Sequence, residues 1–188
     1  LFDAFKHSCE AVDRTIYRMI LANAILLGLE CFPAIYLHSF VATNNDLSRV
    51  QNTGHNRAIN RHQWALDELT GLLNDAKSQH ARCLQAIKQL IDMRQGQPAF
   101  HPNATQFTLN CGRSIFGFWR QSPDRTQSIF CLYNVTPIST TIATASLNLV
   151  GSDSWRDLIS GETVDLFSED PTIELAPYQA VWLTNTMT

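Results

Sequence analysis

The stretch Thr53-Gly54-His55-Asn56-Arg57-Ala58-Ile59-Asn60-Arg61 carries two arginines four positions apart, with Asn60 between them and no apolar periodicity. A guanidinium presents a rigid planar fork of N–H donors, which suits a carboxylate, a phosphate or the paired hydroxyls of a sugar. Arg57 is therefore the leading candidate for holding a ligand, and Arg61 the second. The competing reading is architectural: one arginine pairs with Asp46 or with a neighbouring carbonyl and keeps the loop in shape.

Other chemistries fit the chain less well. The six histidines never pair at helical spacing with a companion acid, so no metal site is expected. Cys9, Cys31, Cys83, Cys111 and Cys131 are odd in number, widely spaced and never Cys-x-x-Cys, which argues against a disulfide framework or zinc and fits a reducing cytosol. Ser39 lacks the flanking glycines of a nucleophile elbow. A retaining glycosidase needs two carboxylates about 5 to 5.5 Å apart. Only Asp46 lies on the polar stretch, while Asp67 and Glu68 fall on a helical segment and Asp157 and Glu162 in a β-rich one; all are read as solvated surface acids. Phe116, Phe118, Trp119, Phe130, Tyr133, Trp155 and Trp182 could stack on sugar rings, but their alternation reads as core.

Composition narrows the partners. With 14 Lys and Arg against 17 Asp and Glu and no basic cluster, neither nucleic acid nor a membrane surface is expected. The most apolar run, residues 19 to 32, is broken by Asn23 and Glu30 and followed by Pro33, so it reads as a core helix and not a membrane span. The sequons at Asn103 and Asn134 read as chance matches. The first residue is Leu1 and not Met, so a piece of a longer polypeptide is expected.

The elements that must position Arg57 follow from the pattern. Asp13 opens a helix through Ile16, Met19, Ile20, Ala24 and Leu27 that ends near Gly28. The aromatic, apolar run from Pro33 to Phe40 predicts a buried strand of a parallel sheet. A long loop then spans Ser39 to Arg61; loops of that length tend to be functional, and this one would lie at the carboxyl end of the strand, where α/β proteins bind ligands. Helices are predicted over about 63 to 74 and 78 to 95. From Pro98 onward short β-rich runs separated by turns predict an all-β module.

In order and interval, the segments CFPAIYLHSF, NND, TGHNRAINR, RQGQPAFHPNA and APYQAVWL resemble the last part of the sucrose phosphorylase and glucosylglycerate phosphorylase branch of the α-amylase superfamily. The resemblance covers essentially the whole chain, and the Gly-x-Asn-Arg-x-Ile-Asn-Arg loop is its most specific part. It implies an α/β plus all-β fold: the C-terminal portion of a (β/α)8 TIM barrel followed by a small antiparallel β domain. Residues 1–97 would be the end of the barrel, comprising helix 7, strand 8 at Ala34 to His38, the acceptor loop and the helix 8 region. Residues 98–188 would be the C-terminal β domain.

By motif, Arg57 would face the acceptor subsite, with Asn45, Asp46 and Asn60 as further substrate-binding residues. The implied reaction is cofactor-free transfer of glucose from sucrose or a related α-glucoside to phosphate, in the cytoplasm. The resemblance assigns the catalytic carboxylates to strands before Leu1, so no catalytic residue is expected in this chain. Partners would be a small sugar and inorganic phosphate, with a homodimer as the one protein assembly in view. A glucoside hydrolase of the same superfamily and a non-catalytic or sugar-binding β module remain the alternatives.

Overall fold

The computed structural model describes residues 1–147, 155–164 and 171–185. They form two compact units: Leu1–Asn23 with Pro33–Gln89, and Ala24–Phe32 with Leu90–Thr188.

The first unit is helical. Helix α1 (Val12–Gly28) begins here, followed by the single turn α2 (Leu37–Phe40), α3 (Leu47–Thr53), α4 (Leu66–Asn74) and the first part of α5 (Gln79–Gln95). The predicted boundaries of α1, α4 and α5 hold to within three residues, because each carries an apolar stripe at helical spacing. Asp67 and Glu68 sit in the first turn of α4, where negative charge favours the helix dipole. Ile16, Met19, Ala42 and Cys83 close around Phe2, which is fully buried. His80 donates from Nδ1 to the Val41 carbonyl at 2.7 Å and Gln79 from Nε2 to Ala42 at 3.0 Å, so α5 fixes the backbone at the start of the polar stretch.

Two expectations fail in this unit. Residues 33 to 36 are not a strand and Leu37–Phe40 is a helical turn; Tyr36 and Leu37 are more than half exposed. A parallel strand exists only when a neighbour accepts its ladder, and no described strand pairs with this run. The long loop is also less irregular than expected. It holds α3 and a 3-10 turn at Asn56–Asn60. The end signals for α3 were present in the sequence, a carboxylate at Asp46 to cap its start and Gly54 to end it, but seven residues without an apolar stripe carry no period to read.

The second unit is a β layer. Strands β1 (Thr105–Leu109), β2 (Ile115–Gln121), β3 (Ser128–Asn134), β4 (Thr140–Ala143), β5 (Trp155–Asp157), β6 (Thr163–Val164), β7 (Thr172–Leu175) and β8 (Ala180–Thr184) make two sheets. One has the antiparallel order β1-β2-β3-β8-β5-β6 and the other pairs β4 with β7. Strand β3 is buried on both faces. Phe130 and Leu132 enter a core with Ile142, Leu175, Val181 and Leu183. On the opposite face Tyr133 donates to the Ala24 carbonyl at 3.1 Å, and Trp182 meets Phe100 edge-on at 4.8 Å.

The end of α1 is capped by cations. Arg94 donates to the carbonyls of Leu27 and Cys31 at 2.7 and 3.1 Å. Arg120, fully buried, donates to Gly28 at 3.1 Å and to His101 and Ala104 at 2.9 and 3.2 Å. Positive charge at a helix C-terminus meets both the dipole and the orphan carbonyls. Burial pushes the pKa of both guanidiniums down, and the ring of carbonyls is what keeps such a group in place. Gly28 is required by proximity: a Cβ there would lie 2.3 Å from Tyr133 Oη. Among the described residues no helix is long and apolar enough to cross a membrane.

Candidate acceptor-loop site

The polar stretch is a braced loop. Asp46 caps α3: its Oδ1 accepts from the Arg49 backbone N–H and from Ser48 Oγ, each at 2.8 Å. Its Oδ2 accepts from His62 Nδ1 at 2.7 Å. An ionised carboxylate only accepts, so Nδ1 of His62 carries the hydrogen. The bonds from His62, Arg49 and Ser48 together hold Asp46 down to about 2. The Asp46 backbone N–H donates to Ile59 O at 2.8 Å, and Arg49 donates to Gln63 Oε1 at 2.8 Å. Gly54 ends α3 in the left-handed region, with φ of 68°. The segment from 46 to 63 is thus tied to itself at three places.

Arg57 stands on the 3-10 turn that follows, exposed beside Ala58, whose side chain is buried and pins the turn. Among the described residues neither Arg57 nor Arg61 makes a side-chain hydrogen bond or ion pair. The architectural reading, with an arginine on Asp46, is thereby replaced: His62 takes that place. Asn60 receives the Tyr36 hydroxyl on its backbone carbonyl at 3.2 Å, and among the described residues its side-chain amide makes no hydrogen bond. Asn45 is exposed and its backbone N–H donates to Asp3.

A solvent-open pocket of about 360 Å³ lies on this unit, lined by Thr43, Asn45, Asp46, Ser48, His62 and Trp64 among others. Of the predicted site residues Asn45 and Asp46 reach it; Arg57 and Asn60 are not in its lining. His62, Trp64 and Thr43 escaped sequence reasoning. His62 meets Trp64 edge-on at 4.4 Å, Trp64 meets His80 edge-on at 5.3 Å, and Trp64 Nε1 donates to Thr43 Oγ1 at 3.1 Å. The one available signal was His62-x-Trp64 directly after the arginine motif.

Outside this loop the candidates resolve into structure. Asp157 is not a solvated acid: it is buried, and its oxygens accept from the backbone N–H groups of Ile159, Ser160 and Trp182. Asp67, Glu68 and Glu162 are exposed, as expected. Of the seven aromatics, Phe118, Phe130, Tyr133, Trp155 and Trp182 are buried in the β layer, Trp119 is half-buried, and Phe116 is exposed. Asn134 is fully buried, its amide donating to the carbonyls of Ile138, Leu175 and Ala176. Among the described residues no three His, Cys, Asp or Glu groups gather as metal ligands.

No known family profile matches the chain. Curated relatives do. A glucosylglycerate phosphorylase of Allomeiothermus silvanus is 34% identical over 185 residues, covering 97% of this chain and 30% of the relative. Those of Escherichia coli and Spirochaeta thermophila are 34% and 30% identical, over 96% and 89% of this chain. The chain spans 30% of the length of each of these relatives.

Among solved structures, AmyP in complex with maltotriose covers 98% of this chain with a TM-score of 0.76 at 14% identity, the match taking in 37% of that protein. The Geobacillus thermoleovorans α-amylase covers 92% at a TM-score of 0.68 and 16% identity, over 34% of its own length. The isomaltulose synthase PalI of Klebsiella covers 89% at 0.61 and 14% identity, over 38% of its length. These likenesses establish the fold. With helices ahead of an antiparallel β domain and kinship over nearly its whole length, the chain is a C-terminal part of the α-amylase superfamily architecture, in the branch that holds the glucosylglycerate phosphorylases.

Proposed function

We propose that this chain frames the acceptor side of a retaining glycoside phosphorylase that moves glucose from an α-glucoside to inorganic phosphate. The observation that carries the reading is the match to glucosylglycerate phosphorylases over 89% to 97% of the chain, which favours glucosylglycerate over sucrose as the glucosyl donor. The catalytic carboxylates belong to the rest of the parent protein in this reading: an aspartate attacks glucose C1 as the glycerate oxygen leaves with a proton from a carboxylic acid, giving a β-glucosyl enzyme, and phosphate then attacks C1, displaces the aspartate carboxylate and releases α-glucose 1-phosphate with retention. Residues 1–97 are the end of the barrel and 98–188 its β domain. Exposed Tyr36 and Leu37 fit a segment that further barrel strands cover. Five cysteines without a disulfide accord with a cytoplasmic setting.

The physical support lies in the loop. Because the segment is tied to itself, only the Arg57 side chain and not the backbone has to be ordered when its guanidinium grips a phosphate or the oxygens of an organic acceptor. Asn45 and Asn60 add uncharged donors and acceptors, and Asp46 sets the loop's shape. In the full-length enzyme, phosphate-dependent formation of glucose 1-phosphate from glucosylglycerate is the expected activity. Arg57→Ala should raise the KM for phosphate or acceptor roughly ten- to a hundredfold, and an unchanged KM for both would remove Arg57 from the site. A hydrolytic reading draws on the fold shared with α-amylases. It predicts the same sugar release with and without phosphate.

A further inference from the structure

A short hydrogen-bonded series stands beside the loop, within the same unit. Trp64 Nε1 donates to Thr43 Oγ1 at 3.1 Å, and Thr43 Oγ1 lies 3.2 Å from His38 Nδ1. An indole N–H can only donate, and a hydroxyl has one hydrogen to give. Among the described residues the acceptor in reach of the Thr43 hydrogen is His38 Nδ1. When Thr43 gives its hydrogen to that nitrogen, Nδ1 carries the lone pair and the ring's hydrogen sits on Nε2. Burial, and then the neighbouring His62, hold the pKa of His38 below the usual histidine value, which accords with a neutral ring. Nε2 makes no hydrogen bond among the described residues and is not one of the buried, unpaired atoms, so it faces solvent.

The ring is also placed. Tyr36 packs edge-on against it at 5.2 Å, and the Tyr36 hydroxyl donates to the Asn60 carbonyl at 3.2 Å, which joins the segment bearing His38 to the loop bearing Arg57. Thr43 and Trp64, which set the ring's tautomer, line the pocket described above. A neutral N–H complements a hydroxyl or carboxylate oxygen without adding a second cation to that of Arg57.

We infer that His38 is an acceptor-binding residue, whose Nε2–H donates to an oxygen of the organic acceptor, and that Thr43 and Trp64 are positioning residues that fix its tautomer. This rests on the acceptor role proposed for the loop. Glycerate, the acceptor in that reading, is the probe, used with α-glucose 1-phosphate in the synthetic direction on the full-length enzyme.

His38→Ala is expected to raise the KM for glycerate roughly two- to tenfold. His38→Gln, whose amide nitrogen falls near Nε2, should restore it, and His38→Asn, which mimics Nδ1, should not. Restoration by Asn and not Gln overturns the inference. Histidine ¹⁵N NMR of the same enzyme should show His38 as the Nε2–H tautomer, with Thr43→Val moving part of that signal to the Nδ1–H form. An Nδ1–H ring or an imidazolium at neutral pH in the unsubstituted protein would overturn it. Matching melting midpoints for wild type and His38→Gln keep folding out of the comparison. If Arg57→Ala alters acceptor or phosphate KM while His38→Ala alters neither, this inference alone fails. If Arg57→Ala alters neither, the acceptor role of the loop fails.

Discussion

The two units treat polar side chains in opposite ways. In the β layer Arg120, Asn134 and Asp157 are buried and engaged with backbone carbonyls or N–H groups. In the helical unit Arg57, Arg61 and Asn45 stand exposed on a segment whose rigidity comes from other residues, Asp46, Arg49 and His62. A buried polar group left without a partner costs the fold free energy, so the backbone bonds made by Arg120, Asn134 and Asp157 mark structure, although Arg120 Nε and Trp155 Nε1 in the same layer lie buried without a partner among the described residues. On the tied loop the exposed groups without protein partners are the ones that the proposed function assigns to a ligand. Histidine shows the same contrast inside one unit: His80 donates to a backbone carbonyl beneath the loop, whereas His38 Nε2 makes no hydrogen bond among the described residues.

The comparison can be broken by experiment. Arg120→Met leaves the carbonyls of Gly28, His101 and Ala104 without their donor in a buried setting. It should cost on the order of 3–5 kcal/mol in urea unfolding of the full-length protein, and a loss under 1 kcal/mol would mean that the buried polar groups are not structural. Gly28→Ala forces a Cβ against Tyr133 and should cost about 1–3 kcal/mol. Smaller again, Asp46→Asn should destabilise the loop in a pH-dependent way. The folded-state pKa of Asp46 lies at about 2, below its ordinary value of 3.8. Its contribution is therefore fully present above about pH 4 and lost as the pH falls toward 2. Hydrogen exchange at Arg49 should thus distinguish the variant from wild type at pH 7 and not at pH 2. Arg57→Ala should shift stability by no more than about 0.5 kcal/mol while altering the KM for phosphate or acceptor. A large loss of stability would move Arg57 to the structural side of the contrast.

Much of this was legible in residue order. Helices α1 and α5 announced themselves by apolar spacing, and the turn-rich runs after Pro98 by alternation, because both signals are local. The strand expected at 33 to 40 was not formed, since a parallel strand is defined by a neighbour that the run itself does not encode. Asp157 and Glu162 looked alike as letters; only packing buried the first and left the second in water. The arginine motif pointed to the loop, but the partner of Asp46 could not be read. Arg57, Arg61 and His62 lie within six positions of one another, and the fold alone selects the imidazole. His38 was read as the end of a strand, and the donor on its far nitrogen depends on Trp64, twenty-six positions away.

Asn134 bears on how the protein should be produced. Its Asn-Val-Thr signal is sealed inside the β layer once folded, with the side-chain oxygen accepting from the N–H and hydroxyl of Thr136 and the nitrogen held by three carbonyls. A secretory host attaches glycans to the emerging chain before such a seal exists. A sugar added there would prevent β3 from closing, so export through a eukaryotic secretory pathway should yield misfolded protein that a bacterial cytosol does not. Replacing Thr136 with Val would not serve as a remedy, because the hydroxyl is part of the seal.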